Sequence, residues 1–242
     1  MSNNIKTDSL DIKAILNMRA QIYFLLSRLY EKEVDKELFY TLRNHLPLLE
    51  ELSKSSEDEA FIKGVGSLKN RLLNINNENL DEFIDELARI YAMLFLNVTA
   101  SIVEVKTINP YESVYLSEEG LMYQQETEDV LKFYINNKVI TKKSFNEPDD
   151  HIAAELAFIG HLNEQAIRFL DENNYKEASD KIKTSKEFME KHLLRWVNKL
   201  CLDIRETDIS NFYKPVADIT LGFIRTDYKS LEDLVNVLNQ DV

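Results

Sequence analysis

One short stretch of the sequence concentrates side chains that can bind a cation or exchange a proton. Residues 147–155 contain four acids and neither Lys nor Arg: Glu147, Asp149, Asp150 and Glu155. His151 is four residues from Glu155, a spacing that places both side chains on one face of a helix. One interpretation is a helix start, with Pro148 in the first turn and acids that complement the helix dipole. The other is a cluster of carboxylates that binds a cation.

A second stretch, residues 109–115, places a carboxylate and a phenol at helical spacing. Pro110 disfavours a helical conformation at Asn109, so a helix would begin after it. Glu112 and Tyr115 are three residues apart and share one face if the segment is helical. On local chemistry this is a helix start. Glu112 faces the acids of residues 147–155 only if the fold brings the two segments together.

The sequence lacks the motifs of the common metal- and nucleotide-dependent enzymes. Neither the paired Glu-x-x-His of a di-iron bundle nor the His-Glu-x-x-His of a zinc protease occurs. Gly64-Val65-Gly66 lacks the following Gly-Lys-Ser/Thr of a phosphate loop, and Ser113 lacks a Gly-x-Ser-x-Gly turn. We therefore expect no metal site and no cofactor. A helical metal- or nucleotide-dependent enzyme that uses Asp150, His151 and Glu155 is the alternative.

The composition restricts the fold that must position these residues. The 242 residues include only five Gly and four Pro, which disfavours β-sandwiches, β-barrels and doubly wound α/β folds. A formal net charge of −13 disfavours a nucleic-acid partner and docking on anionic lipid. Cys201 is the single cysteine, so no internal disulfide can form. These counts favour a mostly helical protein.

Apolar residues recur at three- and four-residue steps and predict helices over most of the chain. The predicted spans are Asp8–Glu31, Asp35–Glu51 broken or kinked at Pro47, Glu57–Leu73, Asn79–Leu96, short pieces within Tyr111–Asn137, Pro148–Glu172, Tyr175–Leu202, Asp208–Arg225 and Ser230–Gln240. Residues 97–110 include seven β-branched residues without a clear helical period and predict an extended connection. The polar loop at 142–147 is a predicted hinge between helical parts at about 8–141 and 148–242.

No apolar run approaches the length of about 20 residues that spans a bilayer, and the N-terminus does not resemble a signal peptide. We expect a cytoplasmic protein without stable membrane insertion. Aromatic residues near the C-terminus follow helical steps and are typical of a core: Phe188, Trp196, Phe212 and Tyr213.

Taken together, these segments resemble the TorD/DmsD/NarJ family of molybdoenzyme maturation chaperones. The resemblance covers nearly the whole chain, and its residues follow the family's order: Arg19-Ala20-x-x-Tyr23-x-Leu25-Leu26-Ser27-Arg28-Leu29-Tyr30, Tyr91-x-x-Leu94-Phe95, Pro110-Tyr111-Glu112-Ser113-Val114-Tyr115, Glu147-Pro148-Asp149-Asp150-His151-Ile152-x-x-Glu155-Leu156-x-Phe158, Phe188-x-x-x-His192-Leu193-x-x-Trp196 and Phe212-Tyr213. One departure is that residues 97–109 lack the glycines often found before the family's proline.

The resemblance implies an all-α, TorD-like fold of one helical-bundle domain, with roughly nine to eleven helices over residues 1–242. It also implies a non-enzymatic chaperone that binds the twin-arginine signal peptide and the apo-form of a molybdopterin oxidoreductase. The implied peptide-binding residues are Tyr111, Glu112, Tyr115, Glu147, Asp149, Asp150, His151, Glu155 and Phe158. Carboxylates beside aromatic rings suit guanidinium groups, through charge-assisted hydrogen bonds and stacking.

Three questions stay open at this stage. A generic acidic adaptor is a further alternative to the chaperone. The sequence does not identify the client oxidoreductase, nor whether guanine nucleotide binds. The chain is expected to be a monomer or a dimer that exchanges helices about the hinge at 142–147.

Overall fold

The computed structural model describes residues 2–98, 107–141, 144–208 and 211–240, and within them the regular structure is helical. The ten α-helices of these residues are α1 (Ser2–Glu31), α2 (Lys36–Ser55), α3 (Glu59–Leu73), α4 (Leu80–Phe95), α5 (Glu112–Leu116), α6 (Gln125–Asn136), α7 (Ile152–Asp171), α8 (Tyr175–Phe188), α9 (Leu194–Thr207) and α10 (Tyr213–Gln240). A π-helical turn, Met189–Leu193, joins α8 directly to α9. The all-α fold class is confirmed.

Two helix pairs form the centre of the bundle, α1 against α7 and α3 against α10. The close approach of α1 and α7 depends on Gly160, because a Cβ there would lie 2.7 Å from the ring of Phe24. A buried ion pair ties α1 to α10: Arg19 donates to Asp227 through Nε at 2.6 Å and Nη2 at 3.0 Å. The hydroxyl of Tyr23 also donates to Asp227, at 2.6 Å. These contacts fix the elements that carry the site.

Of the two outcomes predicted at Pro47, a break or a kink, the break is wrong, because α2 continues through the proline to Ser55. Leu42, Leu46 and Leu49 are all buried, so the same helix face packs on the core before and after Pro47. This packing offsets the hydrogen bond that proline cannot donate.

The C-terminal residues form one helix, α10, where the sequence pattern predicted separate helices at 208–225 and 230–240. Polar residues at 226–230 caused the error. Asp227 is buried against Arg19, and the apolar face resumes with Leu231 and Leu234, both buried. The polar stretch is therefore part of one continuous helix, and its Asp227 forms the ion pair with Arg19.

Residues 97–110, predicted as an extended connection, lie partly outside the described residues, as does part of the predicted hinge at 142–147. Among the described residues, none of the helices combines the length and the hydropathy needed to cross a bilayer.

Candidate functional site

The two segments that the sequence singled out are joined through their main chains. Tyr111 and His151 form an isolated antiparallel β-bridge. The amide of Glu112 donates to the carbonyl of Asp150 at 2.9 Å, and the amide of Ile152 donates to the carbonyl of Pro110 at 2.9 Å. We call this junction of residues 110–113 with residues 150–152 the joint. It brings Glu112 to the acids of residues 147–155.

Helix α7 begins at Ile152, four residues after the predicted start at Pro148. Pro148, Asp149 and Asp150 therefore precede the helix, and the prediction that they form its first turn is wrong. The physical reason is tertiary: the carboxylate of Asp150 accepts from the amide of Ser113 at 2.9 Å. It thus caps α5, a helix that begins 38 residues before Asp150 in the chain.

His151 is the N-cap of α7. Its Nδ1 accepts from the amide of Ala153 at 3.0 Å, which assigns the ring proton to Nε2. The imidazole is 3% exposed, and its ring lies edge-on to those of Tyr111 and Phe145. Burial lowers the pKa of His151 to about 3, so the ring is neutral at pH 7. Asp150 and His151 are therefore buried within the joint and stabilise it through hydrogen bonds to main-chain amides.

Glu112 and Glu155 are also fully buried beneath the joint. Glu112 Oε2 lies 2.8 Å from His192 Nδ1, and Trp196 Nε1 donates to Glu155 Oε2 at 3.2 Å. Burial raises the pKa of both carboxyl groups. Sequence reasoning assigned no site role to His192 or Trp196, although Phe188, His192 and Trp196 follow successive steps of four and so share one helix face.

The remaining predicted site residues lie nearer the surface, except Phe158. Glu147 is exposed and accepts from the hydroxyl of Tyr111 at 2.6 Å. Tyr115 is half-buried and donates to Asp203 at 2.9 Å. Asp149 is half-buried, and burial raises its pKa.

Phe158 is buried, and its ring centroid lies 4.7 Å from those of Tyr134 and Phe188. The accessible part of the predicted site is therefore Tyr111, Tyr115, Glu147 and Asp149.

An apolar groove of about 400 Å³ lies beside the joint, between α1, α7 and the residues after α6. Its lining includes Phe24, Ile140, Phe145, Ala157 and Phe158. Ile140 is 87% exposed, the largest value among the exposed large apolar side chains of the described residues. Sequence reasoning missed this groove. The sequence feature that could have indicated the groove is a set of small residues on α7, Ala153, Ala154 and Ala157, which leave space beside the helix.

Carboxylates border the groove at the end of α1. Glu31 lines the groove itself. Burial raises the pKa of Tyr91, the nearby carboxylates of Glu147, Glu33 and Glu31 raise it further, and the guanidinium of Arg28, which also lines the groove, lowers it. The hydroxyl of Tyr111 lies at the same edge, through its bond to Glu147. We call Glu31, Glu33 and Glu147 the acidic edge.

This surface pairs an apolar groove with an edge that favours cationic groups. Among the described residues, no group of three or more His, Cys, Asp or Glu side chains is arranged to hold a metal ion. The described residues thus form a helical protein in which a mostly apolar groove adjoins three carboxylates.

Comparison with known proteins identifies the family. The model of the nitrate reductase delta subunit family matches residues 55–202, more than half of the chain, and the chain belongs to this family. "Chaperone protein TorD" of Vibrio atlanticus is 29% identical over 229 residues, covering 91% of this chain and 98% of the relative. The protein of the same name from Shewanella pealeana is 26% identical over 239 residues, covering 96% and 98%. The resemblance to TorD/NarJ-type chaperones is confirmed, and these relatives are named as chaperones rather than enzymes.

Proposed function

We propose that this protein is a cytoplasmic, non-enzymatic chaperone for a molybdopterin oxidoreductase. It binds the client's twin-arginine signal peptide and its apo-form, assists insertion of the molybdenum cofactor and delays export until the client is folded. Membership of the nitrate reductase delta subunit family and the similarity to TorD chaperones support a role in maturation. The apolar groove next to the acidic edge supports binding of the peptide.

The groove and the acidic edge match the two parts of such a peptide. The apolar stretch would bury its side chains between Phe24, Ile140 and Phe145, where each large apolar side chain removed from water contributes about 1.5–3 kcal/mol. The guanidinium groups would meet Glu31, Glu33 and Glu147 through charge-assisted hydrogen bonds. The rings of Tyr111 and Tyr115 would provide surfaces for stacking.

The buried members of the predicted site would contribute indirectly. Asp150 and His151 fix the main chain that positions Tyr111 and Glu147, and Glu112 and Glu155 support the joint from beneath. Phe158 would form the base of the groove. In this proposal all nine predicted residues contribute to peptide binding, with the exposed ones as contacts and the buried ones as supports.

Calorimetric titration with a twin-arginine signal peptide tests the proposal. In Ile140→Ser we expect affinity to fall about tenfold or more, because an apolar contact of about 1.5–3 kcal/mol is lost. Ile140 is 87% exposed, so this change should leave the folded structure intact. Leu73→Ser is the matched control, since Leu73 is 55% exposed at the end of α3 and does not line the groove.

If wild-type protein does not bind the peptide, the proposed function is wrong. If both serine variants bind as wild type does, the peptide binds elsewhere. Co-purification with the catalytic subunit of a molybdopterin oxidoreductase would separate a chaperone from a generic acidic adaptor, which has no such client. Exchange of helices about residues 142–147 predicts a dimer that size-exclusion chromatography would detect.

A further inference from the structure

Two carboxyl groups lie next to each other under the joint, and one oxygen of each lacks a hydrogen bond. Glu112 Oε2 is 2.8 Å from His192 Nδ1, and Glu155 Oε2 accepts from Trp196 Nε1 at 3.2 Å. Neither Glu112 Oε1 nor Glu155 Oε1 has a hydrogen-bond partner among the described residues, although both side chains are fully buried. Their partners His192 and Trp196 are four residues apart along the chain, which brings the two carboxyl groups together on one helical face. Burial raises the pKa of Glu155, and the neighbouring Glu112 accordingly raises it further.

Two ionised carboxylates cannot form a hydrogen bond with each other, because both are acceptors and neither has a proton to donate. Like charges in contact inside a protein also oppose each other strongly. A single proton removes both problems, because it converts one acceptor into a donor. The two unpaired oxygens then become the donor and the acceptor of one hydrogen bond.

The other polar groups packed around the pair offset its negative charge only in part, since burial raises the pKa of Glu112 while His192 and Arg195 lower it. Asp150, before α7, adds a third buried carboxylate, and α6 contributes the neutral phenol of Tyr134. His192 of the π-helical turn bonds to one oxygen of Glu112. Arg195 of α9 lies 3.9 Å from Glu112 Oε1, but its side chain is 53% exposed, so solvent screens its charge. The surroundings therefore accommodate one ionised carboxylate more readily than two.

We propose that Glu155 is a proton-binding site: its carboxyl group is protonated in the folded protein at neutral pH and donates to Glu112 Oε1. Glu112 then accepts from His192 and from Glu155, and Glu155 accepts from Trp196. The result is a continuous series of hydrogen bonds that links Trp196 of α9, Glu155 of α7, Glu112 of α5 and His192 of the π-helical turn. Burial, followed by the charge of Glu112, raises the pKa of Glu155 well above its ordinary value.

This proton makes the joint sensitive to pH. Its loss places two negative charges in contact between α5 and α7, where the main chain of Glu112 bonds to Asp150. Alkaline pH should therefore loosen the joint that positions Tyr111 and Glu147. The consequence for a bound peptide rests on the proposed function, whereas the proton site does not.

Infrared spectroscopy tests the proton site directly, because a protonated carboxylic acid has a C=O stretching band distinct from the carboxylate bands. Folded wild-type protein at pH 7 should show this band, and Glu155→Gln should lack it. The glutamine amide can keep both hydrogen bonds, donating to Glu112 and accepting from Trp196. Glu164→Gln is the matched control on α7, because Glu164 is partly exposed and pairs with His161; it should retain the band.

Denaturant titrations provide a second readout. Unfolding should release the proton, so the unfolding equilibrium constant of wild type rises by up to about tenfold per pH unit relative to Glu155→Gln above about pH 5. If Glu155→Gln does not fold, disappearance of the wild-type band on unfolding at pH 7 still tests the site. Absence of the band from folded wild type, or its persistence in folded Glu155→Gln, would overturn the inference. A protein that shows the band but binds no signal peptide would refute only the proposed function.

Discussion

Replacing His151 with asparagine should remove part of the protein's sensitivity to acid. The imidazole is buried in the folded protein, and burial lowers its pKa to about 3, against about 6.5 in an unfolded chain. Between these two pH values the unfolded chain binds a proton that the folded protein does not. The free energy of unfolding therefore decreases as the pH falls.

The expected magnitude follows from this pKa difference. Each pH unit inside the window changes the free energy of unfolding by about 1.4 kcal/mol per proton, which gives about 4 kcal/mol between pH 6.5 and pH 3.5. Asparagine does not titrate there, and it is among the preferred N-cap residues, so it can still accept from the amide of Ala153. At pH 7 the variant should be less stable, because it loses the ring contacts with Tyr111 and Phe145.

Urea titrations followed by circular dichroism, repeated at intervals from about pH 7 to pH 3.5, measure the effect across the predicted window. Wild type should lose its advantage over His151→Asn as the pH falls, and the gap should shrink by about 4 kcal/mol. His161→Asn is the control, because His161 lies on the same helix with a partly exposed side chain. Its pH dependence should parallel that of wild type. A gap between wild type and His151→Asn that stays constant with pH would refute the reasoning.

The other predictions concern the helix packing that supports the site. Asp227→Asn leaves the buried guanidinium of Arg19 without its charged partner and should lower the free energy of unfolding by about 3–5 kcal/mol in urea titrations. Gly222→Ala should destabilise the protein by about 1–3 kcal/mol, since its Cβ would lie 2.5 Å from the Cβ of Phe61 and press α10 away from α3. Gly66→Ala, with no atom within 4 Å of its added Cβ, should raise the thermal midpoint through a gain of about 1 kcal/mol. Equal effects of the two glycine substitutions would contradict the packing of α10 on α3.

Several elements could be predicted because their causes are local. The periodic apolar residues of α1 and α4 indicated helices directly, and the scarcity of Gly and Pro indicated the all-α class. The aromatic residues Phe188 and Trp196 follow the same rule, and both are buried. In each case, side chains a few residues apart share one helix face, so spacing alone carries the information.

The interior of the site could not be predicted, because its contacts join residues that are distant in the sequence. Glu112 and His192 are 80 positions apart, and spacing rules reach only about one helix turn. A glutamate is polar, and its residue type alone predicts an exposed side chain. The complete burial of Glu112 and Glu155 is the opposite of that prediction. The start of α7 was misplaced for a related reason, since Asp150 caps α5 rather than its own helix.

The proposed placement of a twin-arginine peptide is tested most directly by a double-mutant cycle between the acidic edge and the peptide arginines. Calorimetry would compare wild type and Glu147→Gln, each with the natural peptide and with a peptide in which both arginines are glutamine. Glutamine keeps an acceptor for the hydroxyl of Tyr111, so the change removes charge with little effect on structure.

Our account predicts a coupling free energy of about 1 kcal/mol or more between Glu147 and the arginines. Glu119→Gln, at an exposed position outside the groove, should show none. If wild type binds the peptide and both carboxylates give zero coupling, the acidic edge does not receive the arginines, and the central claim is contradicted.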